Sequence, residues 1–183
     1  MTLVLIDENK TFLSPDFKPE DSTSFRLAQL LLMVDVLDDH GWKVNIERLG
    51  ILDFFAANPF LIVEEGDEAF RKLVLAGFSA KPLTYASPGQ RFATRRSRIK
   101  HDLSVLVAYG LVRVDAHQGN LVYVITEEGK DTAQQFHSLY AASYRTSAQI
   151  VGRRIQKCSD SKLRSECRQW LKADPALLDL FNL

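Results

Sequence analysis

Residues 91–129 constrain the fold more than any other stretch, because three different patterns follow one another there. The segment opens with the basic cluster RFATRRSRIK and continues with apolar residues at helical spacing, namely Ile99, Leu103, Leu106 and Val107. It ends in two runs, LVRVD and LVYVIT, that alternate as β-strands do on either side of the turn sequence AHQGN. A helix followed directly by a hairpin is the order of elements in a winged helix, so the sequence predicts that fold here.

Helical periodicity covers most of the remaining chain, so the predicted fold class is mainly α with a small β-hairpin. We divide the chain into an N-terminal arm or loop over residues 1–23, a helical winged-helix core over residues 24–129, and a long C-terminal helical extension over residues 130–183. The spacing of apolar residues, caps and stop signals predicts the individual helices. Before the hairpin, helices are expected over residues 25–39, 46–57, 67–76 and 94–110.

One long helix is predicted after the hairpin, and a further short helix is predicted over SKLRSECRQWLKAD. Thr126 has the residue type of an N-cap and precedes two glutamates, which favour the first turn of a helix. The apolar residues of the long helix form one continuous stripe from residue 133 to residue 155. A stripe of that length would extend beyond the hairpin, so it needs a partner, either the C-terminal helices or another chain. The apolar stripe of this helix comprises Ala133, Phe136, Tyr140, Tyr144, Ala148, Val151 and Ile155.

The charges are divided unevenly between the two parts of the chain, although they cancel over its 183 residues. Residues 1–70 carry 14 acidic and 5 basic side chains, a balance of −9, whereas residues 71–183 carry 9 acidic and 18 basic ones, a balance of +9. An acidic part and a basic part indicate distinct faces for distinct partners.

The densest basic cluster is a candidate contact site for nucleic acid or for an acidic partner, since arginine suits bidentate contact with phosphates and carboxylates. Three interpretations stay open: contact with an acidic protein surface, which includes this chain's own N-terminal half, non-specific contact with nucleic acid, and a solvated face. A second basic stretch at 153–168 is interpreted as a solvated helix face. The candidate residues are Arg91, Arg95, Arg96, Arg98 and Lys100.

The predicted recognition helix is poorly equipped to read bases. With Leu103 facing inward, the projection points Arg98, His101, Val105 and Ala108 outward, and Asp102 and Ser104 flank them. Base reading needs donors and acceptors on this face. Val105 and Ala108 supply none, and Asp102 would repel phosphate. The predicted wing tip, AHQGN, contains no arginine or lysine for backbone contact.

Nothing in the sequence predicts catalysis, so we expect a protein that is not an enzyme and has no metal and no cofactor. The chain contains no Walker A motif, no glycine-rich dinucleotide loop and no zinc-protease motif, and its four histidines lie in four separate elements. Cys158 and Cys167 are expected to be reduced thiols. The most apolar stretch, residues 25–37, is too short to cross a bilayer. With no signal peptide recognisable in MTLVLIDE, we expect a cytoplasmic protein without membrane contact.

Several aromatic residues are candidate apolar anchors for a partner, because aromatic side chains often carry binding energy at interfaces. Core packing is at least as good an interpretation for most of them. The candidates are Phe54, Phe55, Phe60, Tyr85 and Phe92.

Four segments occur in an order that resembles a known family: RLAQLLLMVDVL, ERLGILDFFAANPFLI, LVLAGF and LTYASPGQRFATRRSRIKHDLSVLVAYGLV. Together they resemble the middle component of ABC-three-component systems, a family that includes the small subunit of Lamassu-type bacterial defence operons. The resemblance covers roughly residues 20–115, with DFFAANPF and YASPGQRFATRRSRIKHDL as its most specific parts. The loop over residues 8–23 and the helices after residue 130 do not match closely.

The resemblance implies a non-catalytic adaptor. Such middle components accompany an ATPase that resembles the structural-maintenance-of-chromosomes (SMC) proteins and an effector, often a nuclease, in the antiviral and anti-plasmid response. The implied partners are the SMC-like ATPase and the effector subunit of the same operon, and DNA contact through the complex stays open. A second hypothesis from the residues is a dimeric winged-helix transcriptional regulator that binds duplex DNA alone.

Overall fold

A computed structural model of the chain describes residues 19–80 and 86–171. Most of the predicted arm, the candidate anchor Tyr85 and the apolar C-terminal tail therefore lie outside the described residues.

Seven α-helices, two short 3₁₀ helices and one two-stranded hairpin make up the regular structure of the described residues, so the predicted class, mainly α with a small β-hairpin, is confirmed. Within this part of the chain, no helix has both the length and the apolar character needed to cross a membrane. The elements are α1 (Thr23–Asp39), α2 (Ile46–Ala57), α3 (Glu68–Leu75), α4 (Pro88–Ala108), β1 (Val112–His117), β2 (Asn120–Ile125), α5 (Glu127–Gln134), α6 (Leu139–Ile155) and α7 (Asp160–Trp170).

The hairpin closes through a tight two-residue turn. The two strands pair antiparallel from Val112 opposite Ile125 to His117 opposite Asn120. Gln118 and Gly119 have φ values of 49° and 78°, so both occupy the left-handed region that a type I′ turn requires. Glycine adopts this conformation without steric cost. The predicted five-residue turn is therefore shorter, and its outer residues join the strands.

Helix α4 begins earlier than the predicted residue 94. The Ser87 side chain accepts a hydrogen bond from the Gln90 N–H, and Pro88 occupies the first helical position. Proline is favoured there because its missing N–H would have no partner in the helix anyway. The Ser-Pro-Gly sequence at 87–89, which precedes the predicted helix, is thus its start.

The single long helix predicted after the hairpin is wrong, because it is divided into α5 and α6. Ser138 caps α6 by accepting a hydrogen bond from the Ala141 N–H. Arg145 then reaches back and donates to the carbonyl oxygens of Ala133 and Phe136, at 2.5 and 3.1 Å. Side chains therefore satisfy backbone groups at both ends of the break, namely two carbonyl oxygens near the end of α5 and one N–H of α6.

The apolar stripe of α6 is covered by other helices of the same chain. Helix α6 packs against α1 and α2, and Tyr144, Val151 and Ile155 are completely buried there. The prediction that another chain or the C-terminal helices must cover the stripe is corrected accordingly. Within the described residues, one hydrophobic core extends from Leu30 on α1 to Leu171 after α7. Helix α1 lies at its centre, as its almost uniformly apolar sequence predicts.

Candidate interaction site

Two arginines and two aspartates form a buried ion-pair network that joins α1, α2 and α4. Arg26 donates side-on to Asp102, with Nε 3.0 Å from Oδ2 and Nη2 3.2 Å from Oδ1. Arg95 lies between the two carboxylates, with Nε 2.5 Å from Asp53 Oδ2 and Nη1 3.1 Å from Asp102 Oδ2. Both aspartates are fully buried, and the four charges cancel. The network is therefore neutral as a whole, which makes its burial tolerable.

Neutral side chains from α1 and α6 complete the hydrogen bonding. The Asp53 Oδ1 atom accepts from Gln29 Nε2 at 3.0 Å and from the Tyr144 hydroxyl at 2.8 Å. The Tyr140 hydroxyl donates to Gln29 Oε1 at 2.9 Å. Four helices thus meet at a single polar centre, whose geometry fixes their relative register.

The spacing on α4 explains why charged residues enter the core. Phe92, Arg95, Ile99, Asp102 and Leu106 follow one another at alternating steps of three and four residues and are all buried. This is the inward stripe of a helix, and Arg95 and Asp102 occupy two of its positions. Arginine and aspartate are almost never fully buried unless they are paired. The burial of both residues therefore depends on Arg26 and Asp53 from the neighbouring helices.

Burial shifts the acid–base equilibria of the network in a consistent direction. Desolvation opposes the charge on Arg95, but Asp53, Tyr144 and Asp102 outweigh it, and the pKa of Arg95 is raised. Burial first and the Asp53 carboxylate second raise the pKa of Tyr144 well above its ordinary value of 10.0. The pKa of Tyr140 is raised for the same two reasons, with burial again the larger. All three groups therefore stay protonated at neutral pH.

We expect these two tyrosines to make the protein unstable at alkaline pH. A raised tyrosine pKa means that the folded state holds its proton where the unfolded state loses it, so the contribution to stability is complete below pH 10 and falls above it. A spectroscopic titration of tyrosinate should show a late step that coincides with unfolding. Tyr144→Phe should reduce that step, whereas Tyr109→Phe, at an exposed position, should leave it unchanged. A late step that occurs without unfolding would contradict the assignment.

An open cavity of about 450 Å³ lies beside the network. Arg91 Nη2 donates to Asn58 Oδ1 at 2.6 Å on its wall, and Arg98 Nη1 lies 2.9 Å from Asp21 Oδ1. Aromatic side chains from α1, α2 and α6 supply apolar lining. Among the residues that line it are Arg26, Arg91, Arg95, Arg98, Phe25, Phe54 and Tyr140.

The predicted basic cluster is distributed over different sides of α4. Arg91 and Arg98 line the cavity, and Arg95 belongs to the buried network. Arg96 and Lys100 are exposed on another side of the helix, where Arg96 Nη2 lies 4.0 Å from Glu47 Oε1. The five side chains therefore do not form a single exposed patch. Their role in binding nucleic acid or an acidic partner stays a prediction.

The projected recognition face needs one correction. His101, Ser104 and Ala108 are exposed as projected, and Arg98 and Val105 are half-buried. Asp102, placed beside this face in the projection, is instead fully buried and bound to Arg26 and Arg95. The inward face of α4 includes Asp102 as well as Leu103, and the ion pairs with Arg26 and Arg95 compensate the burial of the carboxylate.

Three of the candidate aromatic anchors lie in the interior. Phe55 is fully buried, with ring centroids 5.3 Å from Phe54, 6.4 Å from Phe92 and 5.1 Å from Trp170. Phe60 is half-buried, with its ring 4.8 Å from that of Phe70. Core packing, the alternative interpretation, accounts for the positions of Phe54, Phe55 and Phe92, and contact with a partner stays a prediction for the candidate set.

The described residues thus define a mainly helical protein organised around a neutral polar centre, with charged side chains on several faces. Within residues 19–80 and 86–171, no group of three or more His, Cys, Asp or Glu side chains has a metal-binding arrangement. The exposed positions of the projected recognition face, His101, Ser104 and Ala108, include no arginine, lysine, asparagine or glutamine.

Residues 82–173 match the family model described as ABC-three component (ABC-3C) system Middle Component 2. The match spans half of the chain and includes α4, the hairpin and α5 to α7. The chain belongs to this family and is therefore a component of a multi-subunit ABC-three-component system, with the other components as its partners. The match also covers the helices after residue 130, which lay outside the resemblance seen in the sequence. No curated protein and no solved structure matches the chain significantly.

Proposed function

We propose that the protein is a non-catalytic, cytoplasmic adaptor that bridges an SMC-like ATPase and an effector nuclease in a Lamassu-type response to phage or plasmid DNA. The observation that carries the proposal is the family match over residues 82–173. In this proposal α4 and the hairpin belong to a winged-helix domain that serves mainly as a scaffold. On the projected recognition face, the exposed residues His101, Ser104 and Ala108 include none of the arginine, lysine, asparagine or glutamine side chains that make bidentate contacts with bases.

An exposed apolar surface at the junction of α3 and α6 supports the adaptor. The Ser143 hydroxyl contacts the carbonyl oxygens of both Ala76 and Leu139, so the end of α3 lies against the first turn of α6. Leu75 and Leu139 are 81% and 79% exposed there, and Val74 is 47% exposed. Contiguous exposed apolar patches mark protein contact sites. We assign this surface to another component of the system.

Co-expression with the other two components tests the proposal. With only this subunit tagged, the eluted complex should contain all three chains, and its mass should give their ratio. Leu75→Asp with Leu139→Asp should remove at least one partner, because each carboxylate would have to be desolvated in the interface. Gln149→Asp is the matched control, since Gln149 is an exposed position on the same helix.

A tagged subunit that elutes alone or as a homodimer would contradict the adaptor. In that case, tight sequence-specific binding of a duplex by the isolated chain would identify a transcriptional regulator instead. If the double variant retains both partners while Gln149→Asp behaves in the same way, the α3–α6 surface has no part in assembly.

A further inference from the structure

The fold brings together two basic stretches that are far apart in the sequence. Glu47, in the first turn of α2, accepts from Arg164 of α7, with Nε 3.2 Å from Oε1 and Nη2 3.0 Å from Oε2. The same carboxylate lies 4.0 Å from Arg96 of α4. Glu47 is therefore shared by one arginine from each basic stretch. Nothing in the sequence spacing indicates this convergence.

Each of these arginines has a second cation one turn further along its helix. Lys100 follows Arg96 on α4 and Arg168 follows Arg164 on α7, and all four side chains belong to exposed residues. Residues four apart on a helix share a face and lie about 6 Å apart along the axis. With Glu47 at the centre, these five side chains carry a net charge of +3. We call this set the α4/α7 basic face.

The neighbouring surface favours nucleic acid over protein as the occupant. None of the large hydrophobic residues that are exposed in the described part of the chain lies on α7, where Ser161, Ser165 and Gln169 are exposed instead. On α4, Val107 is 36% exposed, and it lies near the end of the helix, seven residues after Lys100. Protein interfaces depend on buried apolar or aromatic anchors. Phosphate contacts need only cations and small polar donors such as Ser and Gln.

We propose that the α4/α7 basic face binds the phosphate backbone of duplex DNA without reading its sequence. Arg96, Lys100, Arg164 and Arg168 supply the phosphate contacts, and Glu47 holds two of the arginines in place while weakening the attraction. This site differs from the α4 cluster expected from the sequence, because it excludes Arg91, Arg95 and Arg98 and includes α7. The proposal deepens the adaptor function, since it rests on that function for the role of DNA in the complex.

The salt dependence of binding to a short duplex of arbitrary sequence, measured by fluorescence anisotropy with the full chain, tests this site. Non-specific binding with a Kd of roughly 10⁻⁴ to 10⁻⁶ M at physiological salt is expected. Four phosphate contacts predict a slope of log K against log salt of about −3 to −4. Arg164→Glu with Arg168→Glu should weaken binding at low salt by about tenfold or more and reduce the slope by about 2.

Two further variants separate a specific face from a general charge effect. Arg71→Glu with Lys72→Glu makes the same charge change at exposed positions of α3 and should have a much smaller effect. Glu47→Gln removes the one acid of the face and should strengthen binding, an outcome that loss of folding cannot produce. Equal effects of the two double variants, or absence of duplex binding at low salt, would overturn the proposal.

The co-expression experiment tests the adaptor function independently of the DNA-binding experiment. If DNA binding behaves as expected while the subunit elutes without partners, the adaptor fails and the DNA site stands. If Arg164→Glu with Arg168→Glu leaves DNA binding unchanged but removes a partner from the complex, the face is a protein contact and the DNA proposal is wrong.

Discussion

Arg95→Glu is expected to unfold the protein rather than to weaken one contact of a folded subunit. The substitution places a third carboxylate beside Asp53 and Asp102, whose oxygens lie 2.5 and 3.1 Å from the Arg95 guanidinium. Breaking a buried ion pair by removing one partner costs about 3–5 kcal/mol, and like-charge repulsion adds to that loss. Since domains of this kind are stable by roughly 5–15 kcal/mol, the folded fraction should fall sharply.

Thermal or urea unfolding followed by circular dichroism measures this effect, and Lys100→Glu is the matched control. Lys100→Glu makes the same change of charge on the same helix but at an exposed position, so the unfolding midpoint of this variant should change little. Arg95→Met should cost less than Arg95→Glu, because it removes the cation without adding an anion. A folded Arg95→Glu variant with an unchanged midpoint and impaired assembly would instead identify Arg95 as a partner contact.

The expected unfolding of Arg95→Glu determines how the basic cluster should be tested in cells. In a test of the proposed defence role, reversing Arg95, Arg96 and Arg98 together would abolish protection simply because the subunit unfolds. Variants that leave Arg95 intact avoid this confusion. Arg96 is 43% and Arg98 37% exposed at the side chain, so their reversal perturbs surface ion pairs that contribute little to stability.

The sequence predicted the elements of the fold well wherever local signals decide them. The boundaries of α2 agree with the prediction because Asn45 caps its start and Asn58-Pro59 follows its end. The hairpin was found from the alternation of its strands and from its Gly-Asn sequence. The division between α5 and α6 was missed because the apolar stripe continues across it. In the folded chain, the Arg145 side chain donates hydrogen bonds to the carbonyl oxygens of Ala133 and Phe136 at the break, and the sequence does not show these contacts.

The polar centre was harder to predict than the elements. Arg95 and Asp102 are seven residues apart on the inward stripe of α4, and this spacing is visible in the sequence. Their burial, however, is favourable only when Arg26 and Asp53 face them from α1 and α2. Such pairing depends on how three helices pack together. The helical periodicity of a single segment does not predict that packing. The sharing of Glu47 by Arg96 and Arg164 was hidden for the same reason.

Phe55→Ala is expected to destabilise the protein by about 3–5 kcal/mol, the usual cost of removing a buried phenylalanine ring. Phe55 is completely buried, and its ring contacts Phe54 beside it on α2 and Trp170 on α7, at centroid distances of 5.3 and 5.1 Å. The loss should loosen the attachment of α7 as well as the centre of the core. A urea titration monitored by tryptophan fluorescence reports both events, since Trp170 is one of two tryptophans.

Phe60→Ala distinguishes a core role from a partner-binding role for the candidate aromatics. Phe60 is half-buried and packs against Phe70, so its truncation should cost clearly less stability than that of Phe55. If Phe55 instead served as an interface anchor, Phe55→Ala would leave the unfolding midpoint unchanged and weaken the complex. The ranking of the two variants in stability and in co-purification therefore decides which aromatic side chains hold the subunit together and which ones remain available to its partners.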